Sequence, residues 1–426
     1  MTRKSSSRGI FRDAIQLLTG TLGGRLILLV ALPFLTRLYE PDDFKLLAVF
    51  IALISSISVV SCLRMDVAIP LAENDDDATN LLAISLIAAA ISSILIFVLS
   101  MISPEALALS IGTPGIEPYF WLISLGIFLG AGYTALQYWA TRMHRFGLIA
   151  RTRISQSATG AGSMLGLGWF GIAPLGLLIG NLLTLSAGGF LLSIQTWKND
   201  QRKFAKINRK RIRETLVKYR RFMIFSTPEA FTNVISVQIP ILIFAAHSGA
   251  EAGQLYLSMQ VVAIPMTLMG ASFAQVYASR AAAEQTNATL HKFTAMMMRR
   301  LFFTGLLPMI LVILFGPMVF TFIFGTEWQR AGQIAAWIAP WMLAQLISSP
   351  VSMVMSLIGY QKEMLYISVF GAVARIAVVV IASHLFSSII LEAYAVASAI
   401  FFIASSIVFY RASKLPPRLH GGSTSG

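Results

Sequence analysis

Five arginines and one glutamate stand where their side chains could act on phosphates and protons. Arg25 and Arg375 interrupt long apolar runs, Arg64, Arg142 and Arg145 sit in polar gaps beside such runs, and Glu229 follows Pro228 near the start of another. A guanidinium stays charged and grips phosphate oxygens in a bidentate way. Placing one inside hydrocarbon costs about 2.5–3.5 kcal/mol on insertion scales, so such an arginine faces a hydrated cavity or a partner. Two readings of Arg25 and Arg375 therefore stand side by side: contact with an anionic cargo, or pairing that locks helices together. Arg64, Arg142 and Arg145 either collect an anion at the mouth of a path or serve only to orient the chain. Glu229 has three readings: a coupling carboxylate whose pKa burial raises, part of a cation site, or a structural partner for an arginine.

The elements that must position these groups are membrane helices. A spanning helix needs about 20 largely apolar residues. Runs of that kind fall at roughly 14–36, 44–63, 78–101, 118–140, 153–172, 174–195, 221–246, 253–278, 300–324, 332–358, 364–385 and 389–410. Among the 33 lysines and arginines, Arg37, Lys45 and Arg330 alone fall in or at the edge of the odd-numbered gaps, and Arg25 and Arg375 alone fall deep inside runs. All the others collect in the two tails and the alternate gaps, which the positive-inside rule places in the cytoplasm together with both termini. Merging the fifth and sixth runs, which are separated by Gly171, Pro174 and Gly176, would put the dense basic block 198–221 outside. The charge asymmetry argues for two helices there.

Composition excludes other classes. Hydrophobic residues make up 56% of the chain and charged residues 12%, about half the charged share of an ordinary soluble domain. The net charge of +14 does not signal nucleic acid, because the basic residues punctuate helices instead of forming one continuous face. With Cys62 the single cysteine, neither a disulfide nor a thiolate metal site is expected. The five histidines lack metal-ligand spacing, no Gly-rich P-loop is present, and the outer connections are too short to house a catalytic site. No enzyme and no bound cofactor is expected, and no cleavable leader is expected in the basic start before the first run.

The chain divides into a first six-helix lobe, 1–195, a basic cytoplasmic linker helix, 196–220, expected on the inner leaflet, and a second six-helix lobe, 221–426. Pro33 within Ala31 to Leu35 and Pro240 within Gln238 to Leu242 occupy corresponding places, as an internal repeat of transporter type would require. The expected class is an all-α polytopic membrane protein of about 12 spans. The acidic run Asp75, Asp76 and Asp77 reads as a solvated helix start favoured by the helix dipole. Tyr138 and Trp139 suit sugar stacking or interfacial anchoring.

The segment Leu32 to Phe44 (LPFLTRLYEPDDF) resembles the end of the first helix in the polysaccharide-specific transporters of the multidrug/oligosaccharidyl-lipid/polysaccharide exporter superfamily, which include O-antigen flippases of the Wzx type. Leu63 to Pro70 (LRMDVAIP), with Glu73 to Ala78 (ENDDDA), is similar to the family's first cytoplasmic loop. Thr227-Pro228, Gln238 to Leu242, Ala252-Gly253, Ile264-Pro265 and Gln275-Val276 follow its pattern in the second half, whereas Lys45 stands where the family has Gly. The resemblance implies a two-lobed exporter fold in the inner membrane of a bacterium. It implies translocation of an undecaprenyl-diphosphate-linked oligosaccharide to the outer face by alternating access for O-antigen, lipopolysaccharide or exopolysaccharide synthesis. Membrane lipids, a polysaccharide polymerase and a chain-length regulator are the partners it implies, with coupling to H+ or Na+. The alternative within the same superfamily is a cation-coupled multidrug exporter, which would use acids in place of arginines.

Overall fold

The computed structural model describes residues 7–204, 207–286, 288–385 and 389–416. Arg3, Lys4, Lys206 and Arg418 of the charge pattern lie outside the described residues. The chain forms two compact units, Met1–Ala246 and His247–Gly426, and no strand occurs among the described residues.

Unit 1 contains α1 (Ser7–Leu38), α2 (Pro41–Ser61), the short α3 (Met65–Ala68), α4 (Asp75–Ile102), α5 (Pro104–Ile111), α6 (Phe120–Arg142), α7 (Phe146–Trp169), α8 (Leu175–Phe204), α9 (Arg209–Lys218) and most of α10 (Thr227–His247). Unit 2 contains α11 (Glu251–Thr286), α12 (Leu290–Phe324), α13 (Gln329–Val351), the short α14 (Met353–Leu357), α15 (Gln361–Leu385) and α16 (Ile390–Ala412).

Among the described residues, 11 helices are long and apolar enough to cross a bilayer. The expected fifth span is the exception. It exists as α7, a helix of 24 residues, but Arg151, Arg153 and its many Gly, Ser and Thr keep it from reading as apolar. Protein supplies its surroundings: Thr152, Gln156, Ser157 and Gly160 are buried. A Cβ on Gly160 would sit 2.7 Å from the Gly180 carbonyl oxygen, and one on Gly24 would sit 2.7 Å from Ser157 Oγ. Backbones that close need no apolar side chains to exclude lipid, which is how small residues hold membrane helices together.

Ion pairs fix the direction of the helices within each unit. Asp75 at the start of α4 meets Arg142 at the end of α6 at 3.1 Å and Lys203 at the end of α8 at 2.9 Å. Those three termini share one end of unit 1, so α7 and α8 are two crossings. In unit 2, Arg330 in the first turn of α13 pairs with Glu251 at the start of α11 (3.0 Å) and lies 3.7 Å from Glu392 at the start of α16. Helices α11, α13 and α16 therefore run the same way, with α12 and α15 returning. Arg330, out of place in the charge pattern, is a tie between helix starts.

The core of unit 1 gathers Met65, Ile69, Leu81, Trp139 and Leu192, against which Phe222 and Met223 at the entrance to α10 also pack. At the far end of α10, Ala246 approaches Gly112 so closely that any Cβ there would lie 2.3 Å away, and φ at Gly112 is +70°. Both contacts place α10 with unit 1. Unit 2 is built around α13, whose Ile334 and Ile338 are fully buried, as is Trp328 just before it.

Candidate functional site

Arg25 lies on α1 with its side chain exposed, six residues (about 9 Å) inside the span Thr19–Leu38, nearer the middle than either end. One helical turn before it, Thr21 Oγ1 accepts a hydrogen bond from Arg153 Nη1 of α7. Close contact of α1 with α7 at Gly20 and Gly24 brings this second guanidinium to the face of α1. Two cationic side chains therefore flank one turn of a membrane helix. Arg153, counted among loop residues from sequence alone, belongs to this cluster. Its signal was the weak apolar character of α7, which hid the helix boundary.

Arg375 is placed otherwise. It lies 13 residues, about 20 Å, into the span Lys362–Leu385, yet only 7% of it is exposed. Its Nε donates to the Gly371 carbonyl at 3.0 Å, and its guanidinium lies 4.7 Å from the ring centroid of Phe401 and 5.8 Å from that of Phe402. A cation over two ring faces is partly compensated for lost hydration. These contacts tie Arg375 of α15 to the aromatic rings of α16.

The three mouth arginines separate as well. Arg142 donates to the carbonyls of Ile69 (3.1 Å) and Ala72 (2.8 Å) and to Asp75. It satisfies carbonyls left over at the end of a short 3-10 turn. Arg145 bonds Asp200 at 2.9 Å, and Asp200, only 5% exposed, also accepts from Trp139 Nε1 at 3.0 Å. Trp139 is fully buried, so it neither stacks on sugars nor anchors at an interface. Arg64 is half-buried in a left-handed turn, with φ of +52° at Leu63 and +56° at itself, conformations that cost non-glycine residues of order 1–2 kcal/mol each. The turn directs the chain into α3, where Asp66 is 5% exposed.

Burial pushes the Asp66 carboxyl above the usual carboxylate range, and the nearby Arg64 charge only partly opposes this. A carboxylate with a raised folded-state pKa is uncharged at low pH in the native protein and must ionise there as pH rises, so native stability declines from about pH 4, the unfolded value, up through the raised one. Asp66→Asn removes that cost. We expect the variant to melt at higher temperature than the parent at pH 7, with the gap closing as pH is lowered toward 4. A gap of constant size across that range would contradict the assignment.

The acidic run is not merely solvated. Asn74 caps α4 by accepting from the Asp77 amide at 2.7 Å, and Asn208 caps α9 by accepting from the Arg211 amide at 2.9 Å. Between these two helices Lys218 bonds both Glu73 and Asp77 at 2.7 Å, and Arg211 bonds Asp76 at 3.1 Å. Bonds to Asp77 and Glu73 hold the Lys218 ammonium above the usual lysine range. Exposed pairs of this type are screened by solvent, so they set register more than stability. Helix α8 runs on to Phe204, and α9 packs Ile212 and Leu216 on the unit 1 core. Thr215 of α9 is buried.

Glu229 lies in the first turn of α10, just beyond the π-helical turn Phe222–Ser226, and is exposed.

The chain is similar to an inward-facing multidrug resistance MATE family transporter of the MOP superfamily (TM-score 0.61, 14% identity, 94% of each chain covered) and to the outward-facing form of such a transporter (TM-score 0.56, 16% identity, 95% and 94% covered). A MATE transporter of Vibrio cholerae aligns with a TM-score of 0.55 at 13% identity over 95% of each chain. No curated protein sequence matches the chain significantly. The family model described as polysaccharide biosynthesis protein matches residues 34–333, and the chain belongs to that family.

Proposed function

We propose that this protein is a flippase, moving undecaprenyl-diphosphate-linked oligosaccharide repeat units from the cytoplasmic to the outer face of a bacterial inner membrane by alternating access. The observation that carries this reading is Arg25, an exposed guanidinium inside an apolar span of a polysaccharide biosynthesis family member, with Arg153 held one turn away.

The physics of the cargo supports it. A sugar head crossing hydrocarbon unaided would lose its water at several kcal/mol for each unsatisfied polar group. A diphosphate adds charge that only cationic groups or water can match. Arg25 and Arg153 supply such groups while the prenyl tail stays in lipid. Arg64 lies on the cytoplasmic side with them under the orientation that the basic residues favour, both termini inside. Arg142, Arg145 and Arg375 are occupied by carbonyls, Asp200 and ring faces, so we give them supporting roles. Glu229 is the carboxylate we assign to coupling with H+ or Na+, because it is exposed within a span. A polymerase and a chain-length regulator would consume the flipped unit.

A second reading, cation-coupled multidrug export, is favoured by the fold likeness to MATE transporters. Deleting the gene separates the two. The flippase reading expects lipid-linked oligosaccharide to accumulate on the inner leaflet. Drug hypersensitivity without such accumulation would replace it by the exporter reading.

A further inference from the structure

A second cationic feature lies wholly within unit 2. An open groove of about 480 Å³ is lined by Phe273 of α11 and by Met296, Arg299, Arg300, Phe303 and Thr304 of α12. Both arginines are exposed, and neither forms an ion pair with a carboxylate among the described residues. Arg299 lies over the Phe303 ring at 5.8 Å, an arrangement that orients the guanidinium without neutralising it.

Helix length fixes the depth of the groove. With 35 residues α12 is about 52 Å long, far more than the hydrocarbon thickness of about 30 Å. From residue 301 to its end it carries no charged side chain. Arg299 and Arg300 therefore mark the boundary where lipid headgroup phosphates lie. From the groove, Phe303, Leu307, Leu311, Leu314, Met318 and Phe322 follow one another at three- and four-residue steps and are all exposed. They form an apolar rail about 28 Å long on one face of the helix.

We infer that this groove binds the diphosphate of a polyprenyl lipid, with the prenyl chain lying along the rail of α12. Two neighbouring guanidiniums match two linked phosphoryl groups better than the single phosphate of a common phospholipid, because each can hold one group in bidentate fashion. The isoprenoid chain is the part of such a lipid long enough to use the full rail. The inference rests on the flippase reading for its choice of ligand, and makes the groove a docking place distinct from Arg25.

Binding to the purified full-length protein in nanodiscs tests it, with farnesyl diphosphate, farnesyl monophosphate and phosphatidylglycerol as probes. The double variant Arg299→Gln/Arg300→Gln is expected to bind farnesyl diphosphate at least about tenfold more weakly, with phosphatidylglycerol unaffected. Arg299→Lys/Arg300→Lys keeps the charge that orients the helix, so its expected intermediate affinity separates loss of the site from faulty insertion. Unchanged diphosphate affinity in the Gln variant, or equal weakening toward phosphatidylglycerol, would overturn the assignment. Either result leaves gene deletion as the independent test of flipping.

Discussion

Arg25→Gln is expected to lower the flipping rate by about 10- to 100-fold, the equivalent of losing a charge-assisted phosphate contact of roughly 1.5–3 kcal/mol. Thermal stability is expected to stay close to that of the parent, because the side chain is exposed. Arg25→Lys keeps charge but loses the bidentate fork, so an intermediate rate is expected. A Gln variant that supports full surface polysaccharide in complementation would contradict the role. The same experiment on Arg375 has the opposite expectation: Arg375 is buried over Phe401, so its loss acts through stability.

Arg145→Ala is expected to have the largest effect on stability. Asp200 is 5% exposed and receives both the Trp139 indole N–H and the Arg145 guanidinium. Removing one partner of a buried pair leaves an uncompensated charge, at a cost of about 3–5 kcal/mol. Because 23% of the Arg145 side chain is exposed, the lower end applies. Adding Asp200→Asn removes the stranded charge while still accepting from Trp139, and part of the stability is expected to return. Thermal melting of both variants in detergent checks this. Equal stability of Arg145→Ala and parent would contradict the pairing, as would a further loss in the double variant.

Span existence was legible in the sequence because hydrocarbon thickness dictates run length, and the alternation of basic residues forced α7 and α8 apart. Pro33 and Pro240 fall inside α1 and α10. Less legible was what each charged side chain does. Arg142 meets Asp75 across 67 residues and Lys218 meets Asp77 across 141, separations over which no periodicity carries information. Hence the contacts of Arg142 and Arg145 with the protein's own carbonyls and carboxylates could not be read from spacing. The boundary of α12 was also hidden. The apolar pattern starts near residue 300, but the helix begins at Leu290, and the arginine pair is therefore carried on a helix instead of in a loop.

Cargo class is the center of the account, and one reconstitution addresses it. The purified protein is placed in vesicles with a polyprenyl-diphosphate oligosaccharide bearing a fluorescent sugar, and membrane-impermeant reductant is added under imposed H+ or Na+ gradients. Protein-dependent loss of the fluorescence protected in the inner leaflet is the predicted result. Protection unchanged under both gradients, with the same vesicles moving a cationic dye, would contradict it.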